Sequence, residues 1–241
     1  MVTAIILAGG VGSRMKTSGL PKQFLSLYGK PIICYTLETF EKVEEIDQII
    51  VPCHDSWVEK MKDLIKDYQF KKVKKVVVGG VDRQGSIMNA LNSLTEIKDD
   101  DIVVIHDGVR PLVKPETIRE NVTTARKSGN AMTVHQNIET VVVTESDTVG
   151  MDNFKNRNNT YTLTSPQTFR VNELKDAFRK AESITDSPVP LLDPALIYAY
   201  LGKEVHLVNE TGLNLKITTP EDFYYLRSYL ELQESKNVLG I

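Results

Sequence analysis

Three apolar runs in the N-terminal half of the chain each break directly into a polar turn that carries glycine. Residues 4–8 (Ala-Ile-Ile-Leu-Ala) run into Gly9-Gly10-Val11-Gly12-Ser13-Arg14-Met15. Residues 76–78 (Val-Val-Val) run into Gly79-Gly80-Val81-Asp82-Arg83-Gln84-Gly85-Ser86, and residues 102–105 (Ile-Val-Val-Ile) into His106-Asp107-Gly108-Val109-Arg110-Pro111. A short unbroken apolar run suits a strand buried on both faces. Residues 46–51 read as a fourth such strand, and helical spacing marks residues 31–40, 55–68 and 86–94 between the strands. Strand alternating with helix predicts an α/β fold with a doubly wound, mostly parallel sheet. Ligands bind such sheets at the carboxyl ends of the strands, so the three turns are expected to converge on one site.

The first turn allows two readings. Glycines directly after a buried strand let the backbone bend sharply and bring N–H groups close to an anion; they also serve a plain strand-to-helix turn. The spacing is neither the dinucleotide fingerprint nor a Walker A loop. Arg14, and Lys22 within Pro21-Lys22-Gln23-Phe24, add fixed positive charge that a plain turn does not need. The second turn opens a helix, whose free N–H groups and Ser86 hydroxyl suit an anion or a ribose. In the third, Asp107 is placed either to ligate a magnesium ion or to pair with Arg110, while His106 reads as a satisfied core or turn residue. Together the three turns indicate a nucleotide site.

Further along, a helix is expected at residues 115–128 and a strand at 131–135. Residues 138–144 and 159–163 look like two strands of a hairpin arm, spanning about 137–163, with β-branched residues that need a covering partner. Helices are expected at 171–181, 193–201 and 221–233, with strands at 204–208 and 214–217. Residues 71–75 carry lysine at four positions and read as a solvated approach to a strand; Trp57 reads as a core or edge anchor. No repeat or linker divides the 241 residues, which predicts one domain, 1–241, with an arm.

A net charge of −3 argues against a nucleic-acid binder, so any bound anion should meet a local basic cluster. Cys34 and Cys53 have no metal-ligand spacing and read as buried free thiols in a reducing, cytoplasmic setting. The chain enters a core strand without a signal-peptide pattern, and no apolar stretch approaches a membrane span.

Taken in order, residues 7–15, 21–24, Gly79-Gly80 with Asp82, Arg83 and Ser86, residues 106–111, Pro166-Gln167 and Asn214-Leu215-Lys216-Ile217-Thr218 form an ordered set. With them the chain resembles, nearly end to end, the polyol-phosphate cytidylyltransferases of the methylerythritol-phosphate and ribitol-phosphate type. These are nucleotidyltransferases with a glycosyltransferase-A-like, Rossmann-like fold. The resemblance implies transfer of CMP from CTP to a polyol phosphate with Mg²⁺ as cofactor. It implies catalytic roles for Arg14, Lys22 and Lys216, and nucleotide contacts from Leu7, Ala8, Gly9, Gly10, Gly12, Gly80, Asp82, Ser86 and Asp107. Asp107 would also hold the metal. The acceptor side would comprise Thr140, Arg157, Ser165, Asp193 and Arg110, with Thr140 and Arg157 reaching the site of a second subunit in a homodimer joined through the arm.

Two departures fall on the acceptor side. Leu192-Asp193-Pro194-Ala195 replaces the usual threonine with leucine, and Ser165-Pro166-Gln167 stands for Thr-Pro-Gln. Leu7-Ala-Gly-Gly and His106-Asp-x-Val-Arg-Pro lean toward the ribitol-phosphate branch, which serves wall or capsule polymers. The methylerythritol branch of isoprenoid synthesis is the alternative, and a non-catalytic nucleotide binder is a third reading that four cationic and acidic side chains (Arg14, Lys22, Asp107, Lys216) weigh against.

Overall fold

The computed structural model describes residues 1–10, 19–191 and 193–239, with 236–239 described by backbone alone. Arg14, Gly12 and Leu192 therefore lie outside the described residues. In chain order the elements are β1 (Val2–Leu7), β2 (Ser26–Leu27), β3 (Lys30–Pro31), α1 (Ile32–Lys42), β4 (Gln48–Cys53), α2 (Val58–Asp67), β5 (Val73–Val78), α3 (Arg83–Asn92) and β6 (Ile102–Asp107). There follow α4 (Pro115–Ser128), β7 (Asn130–Gln136), β8 (Val141–Val142), β9 (Phe154–Lys155), β10 (Tyr161–Arg170), α5 (Val171–Ala181), α6 (Pro194–Tyr200), β11 (Leu207–Asn209) and α7 (Pro220–Leu239).

The main sheet has the order β11-β7-β10-β6-β1-β4-β5. The pairs β1–β4, β1–β6, β4–β5 and β7–β11 are parallel, and β10 runs antiparallel to both β6 and β7. From β1 the chain moves outward to β4 and β5, then returns to β6 on the other side of β1. That reversal opens a crevice at the carboxyl ends of β1 and β6.

Alternate residues of each strand face opposite layers. Ala4, Ile6, Ile49, Val51 and Val104 pack with Ile33, Leu37 and Phe40 of α1, Met61 of α2 and Ile118 and Val122 of α4. Ile5, Ile50, Val103, Ile105 and Phe169 pack with Ile87 and Leu91 of α3, Leu174 and Phe178 of α5 and Tyr198 of α6. Burying an isoleucine or valine of this kind contributes roughly 1.5–3 kcal/mol, and strands flanked on both faces this way read as unbroken apolar runs. α4 stops at Gly129, whose φ of +87° is a left-handed conformation that glycine adopts without Cβ strain. Cys34 and Cys53 are free and buried, and burial raises their thiol pKa values to about 12 and about 11.

The C-terminal half departs from expectation in three places. Residues 138–144 and 159–163 do not pair with each other. Tyr161, Thr162 and Leu163 begin the ten-residue β10 and lie opposite Gln136, His135 and Val134, while the arm closes on a separate two-residue ladder between β8 and β9. Both segments are rich in β-formers, and the choice of partner is set by the register of β10 against β7. Residues 214–217 form no strand; Ile217 N–H donates to Val109 O at 2.9 Å, and the segment crosses the sheet end as a loop. Lys74 and Lys75 lie within β5 rather than before it, on the sheet edge, where exposed charge discourages pairing with other chains.

Candidate active site

The crevice at the carboxyl ends of β1, β4, β5 and β6 is a cavity of about 720 Å³. Its wall contains Leu7, Ala8, Gly9, Gly10, Lys22, Gly80, Asp82, Ser86, Asp107 and Lys216, every described residue assigned above to the nucleotide or to catalysis. Segments far apart in sequence meet here through identifiable contacts. Gln23 Nε2 donates to Ala8 O at 2.7 Å, which ties the Pro-Lys-Gln turn to the first glycine turn and sets Lys22 beside it. The Trp57 ring lies 5.3 Å from that of Phe24 of the same turn, tilted by 33°, as an edge anchor. Gly80 packs against the backbone of Gly85, where a Cβ would come within 2.4 Å of the Gly85 carbonyl carbon. Glycine is required there by close approach. Asp82 caps α3, its Oδ1 accepting from Gly85 N–H at 2.7 Å.

Asp107 is the electrostatic centre. Its Oδ2 lies 3.0 Å from Lys216 Nζ and 3.0 Å from Arg110 Nε, and its Oδ1 lies 3.9 Å from Arg83 Nε. Burial by itself would raise the pKa of this carboxyl, but Lys216, then Arg83 and Arg110, outweigh burial and hold it well below the usual carboxylate range. Beneath it, Ser165 Oγ accepts from Asp107 N–H at 3.2 Å and bonds His106 Nδ1 at 3.1 Å, while His106 Nε2 meets Arg110 O at 3.1 Å. Burial lowers the His106 pKa to about 4, partly offset by Asp107, so the ring is a neutral spacer. Arg110 Nη1 donates to Asn214 O at 2.7 Å and Asn214 Nδ2 to Ser165 O at 2.6 Å. These bonds join β6, β10 and the 214–217 segment. They explain how a residue so late in the chain as Lys216 reaches Asp107.

A family model described as IspD, 2-C-methyl-D-erythritol 4-phosphate cytidylyltransferase, matches residues 2–232. The chain belongs to this family. Two relatives named ribitol-5-phosphate cytidylyltransferase, from Streptococcus agalactiae and Vibrio parahaemolyticus, are 36% and 37% identical to it, with full coverage of both chains. A solved structure titled 4-diphosphocytidyl-2C-methyl-D-erythritol synthase, from Anaerococcus prevotii, superposes with a TM-score of 0.81 at 27% identity, over 95% of this chain and 96% of that one. The chain is thus a nucleotidyltransferase of the cytidylyltransferase group, on the α/β fold of its structural relatives.

Against the pattern expected of this cytidylyltransferase family, the acceptor-side residues divide. Arg110 and Ser165 do not line the cavity; they sit in the network under Asp107, where Ser165 is only 1% exposed and its hydroxyl bonds Asp107 N–H and His106 Nδ1. Asp193 caps α6 through Ala195 N–H, accepts from Gln167 Nε2 at 3.0 Å, and lies 3.7 Å from Arg83 Nη1. Thr140 and Arg157 are exposed on the arm and line no part of the cavity of their own chain. The cavity also includes Gln23, His54, Asp55, Val78, Val81, Arg83 and Val109, which carried no assigned role. Gln23 and Arg83 lay inside quoted motifs; nothing in the local pattern singled out His54 or Asp55. Among the described residues no group of three or more His, Cys, Asp or Glu side chains could enclose a metal. Among the described residues Asp107 Oδ1 accepts no hydrogen bond, and one hard carboxylate oxygen suits a Mg²⁺ ion that takes its other ligands from substrate phosphates and water.

Proposed function

We propose that the protein transfers CMP from CTP to D-ribitol 5-phosphate, giving CDP-ribitol and pyrophosphate. The observation that carries the acceptor is the full-length likeness to ribitol-5-phosphate cytidylyltransferases at 36–37% identity. The convergence of Lys22, Lys216 and two glycine turns on one cavity supports the transfer itself.

Such a reaction needs no protein nucleophile. A phosphate oxygen of the acceptor attacks the α-phosphorus and forms the new P–O bond. The bond from that phosphorus to the bridging oxygen of the β-phosphate breaks, and its electron pair leaves with pyrophosphate. What the protein supplies is position and charge. Amides of the Gly9-Gly10 turn, Arg14 and Lys22 hold the triphosphate. Lys216, presented by Asp107, turns its ammonium toward the α-phosphate as charge builds there. Mg²⁺ held at Asp107 Oδ1 would neutralise charge on the phosphate oxygens.

The acceptor is placed in this reading by a second copy of the chain. The arm exposes Ile138, Val143, Val149, Met151 and Phe154, more apolar surface than an isolated two-residue ladder should leave in water. A homodimer that covers it would bring Thr140 and Arg157 to the neighbouring cavity, where a guanidinium suits a phosphate dianion. The two buried free thiols fit a reducing compartment such as the cytoplasm.

The test is pyrophosphate release with Mg²⁺, each of the four nucleoside triphosphates and a panel of polyol phosphates. Turnover is expected with CTP and ribitol 5-phosphate. Turnover with methylerythritol phosphate instead would move the protein to the other branch, and no release with any pair would overturn the reading.

A further inference from the structure

The cavity-lining Lys22 sits on the short turn Lys22–Phe24, in which Phe24 N–H donates to Pro21 O at 2.9 Å and Leu25 N–H to Lys22 O at 3.1 Å. These bonds shape the turn but do not place it; its place is set by its two buried side chains, Gln23 and Phe24. Gln23 reaches one way, Nε2 donating to Ala8 O at 2.7 Å. Phe24 reaches the other way, to the half-buried ring of Trp57 at 5.3 Å. The ammonium of Lys60, on α2, lies over both rings, 5.4 Å from the centroid of Phe24 and 5.5 Å from that of Trp57. Ring faces attract a cation, so one charge draws the two rings together.

The other end of this linkage returns to the first glycine turn. Ala8 N–H donates to Pro52 O at 2.9 Å, with a further bridge between Ala8 and Cys53 at the end of β4. From there the chain runs directly into the turn Asp55–Trp57, where Trp57 N–H donates to His54 O at 2.8 Å. The contacts close a ring: Pro52 to Ala8, Ala8 to Gln23, Phe24 to Trp57, and Trp57 back along residues 53–56. Gly9 follows one member of that ring and Lys22 precedes another. A closed ring resists displacement at each of its members, whereas an opened one leaves the Lys22 turn tied to the glycine turn through Gln23 alone. Trp57 and Phe24 line no part of the cavity themselves.

We propose that Trp57 is a positioning residue for the transfer. Through Phe24 it holds Lys22 at a fixed place relative to the Gly9 and Gly10 amides, so that both meet one phosphate chain. The role rests on the reading of Lys22 and the glycine turn as the triphosphate grip.

The experiment compares full-length wild type, Trp57→Ala, Trp57→Phe, Lys22→Ala and the double variant Lys22→Ala/Trp57→Ala. Each is followed by steady-state pyrophosphate release with Mg²⁺, CTP and ribitol 5-phosphate. Opening the ring in Trp57→Ala is expected to lower kcat/KM for CTP by about tenfold or more, within the scale for misplacing a group by an ångström. The KM for ribitol 5-phosphate should stay at the wild-type value. Trp57→Phe keeps a ring against Phe24 and should recover most of the loss. In the Lys22→Ala background Trp57→Ala should cost little more, because residues that act as a unit are not additive. The full loss persisting in the double variant, or a matching rise in the acceptor KM, would mark general damage to the fold and overturn the role. An unchanged kcat/KM in Trp57→Ala would overturn it as well, with the transfer reading left standing. A wild type that releases no pyrophosphate would overturn the transfer reading, and this role with it.

Discussion

Lys216 is 39% exposed at its side chain and sits 3.0 Å from a carboxylate that three cationic residues face. Asp107 therefore serves less as an acid than as a holder of positive charge, and Lys216, the most exposed of the three cations, is the one proposed to reach from it to a phosphate. Replacing Lys216 or Lys22 with alanine is expected to lower kcat by about a hundredfold or more, the scale for losing a contact to transition-state charge. Steady-state pyrophosphate release checks this; an unchanged kcat would remove that lysine from the chemistry. Lys22 and the glycines were legible in sequence because their meaning is local: a turn after a strand, with a cation a few residues on. The partners of Lys216 were not legible. They depend on Arg110, Asn214 and Ser165 meeting across segments 49 to 104 residues apart.

Among the elements, β10 carries the most unexpected work. It enters the sheet antiparallel between two strands that belong to parallel pairs, and it delivers Ser165 to the underside of Asp107. Phe169 anchors it, fully buried and 4.8 Å from the ring of Tyr198 on α6. Phe169→Ala should destabilise the fold by about 3–5 kcal/mol through lost burial and the cavity left behind. Urea unfolding with an unchanged m-value would show it, and a change under about 1 kcal/mol would mean the neighbouring helices collapse onto the gap. The neighbouring elements were anticipated closely: α4 and α5 begin and end at the expected residues, 115–128 and 171–181. β10 was not, because two segments rich in β-formers flanking the arm offer a local hairpin as plausible as the real pairing, and β-propensity alone does not name a partner.

For the whole molecule, the consequence of the proposed dimer is a site shared between chains. Mixed dimers of Arg157→Ala and Lys22→Ala subunits test it. If the arm acts on the neighbouring cavity, one of the two sites in each heterodimer keeps both residues, so an isolated heterodimer should show about half the wild-type activity and a randomly reassorted equal mixture about a quarter. A heterodimer as inactive as its parents would place Arg157 with its own chain. What could be read along the chain was whatever depends on near neighbours: buried strands from unbroken apolar runs, the turns that end them, and the chemistry of charges beside those turns. Strand partners, the burial of Arg110 and Ser165 under Asp107, and the meeting of Trp57 with the turn that carries Lys22 were set by the folded chain. They depend on hydrogen bonds and packing between segments far apart in sequence, whose register is chosen by the layers that must be covered on each face of the sheet.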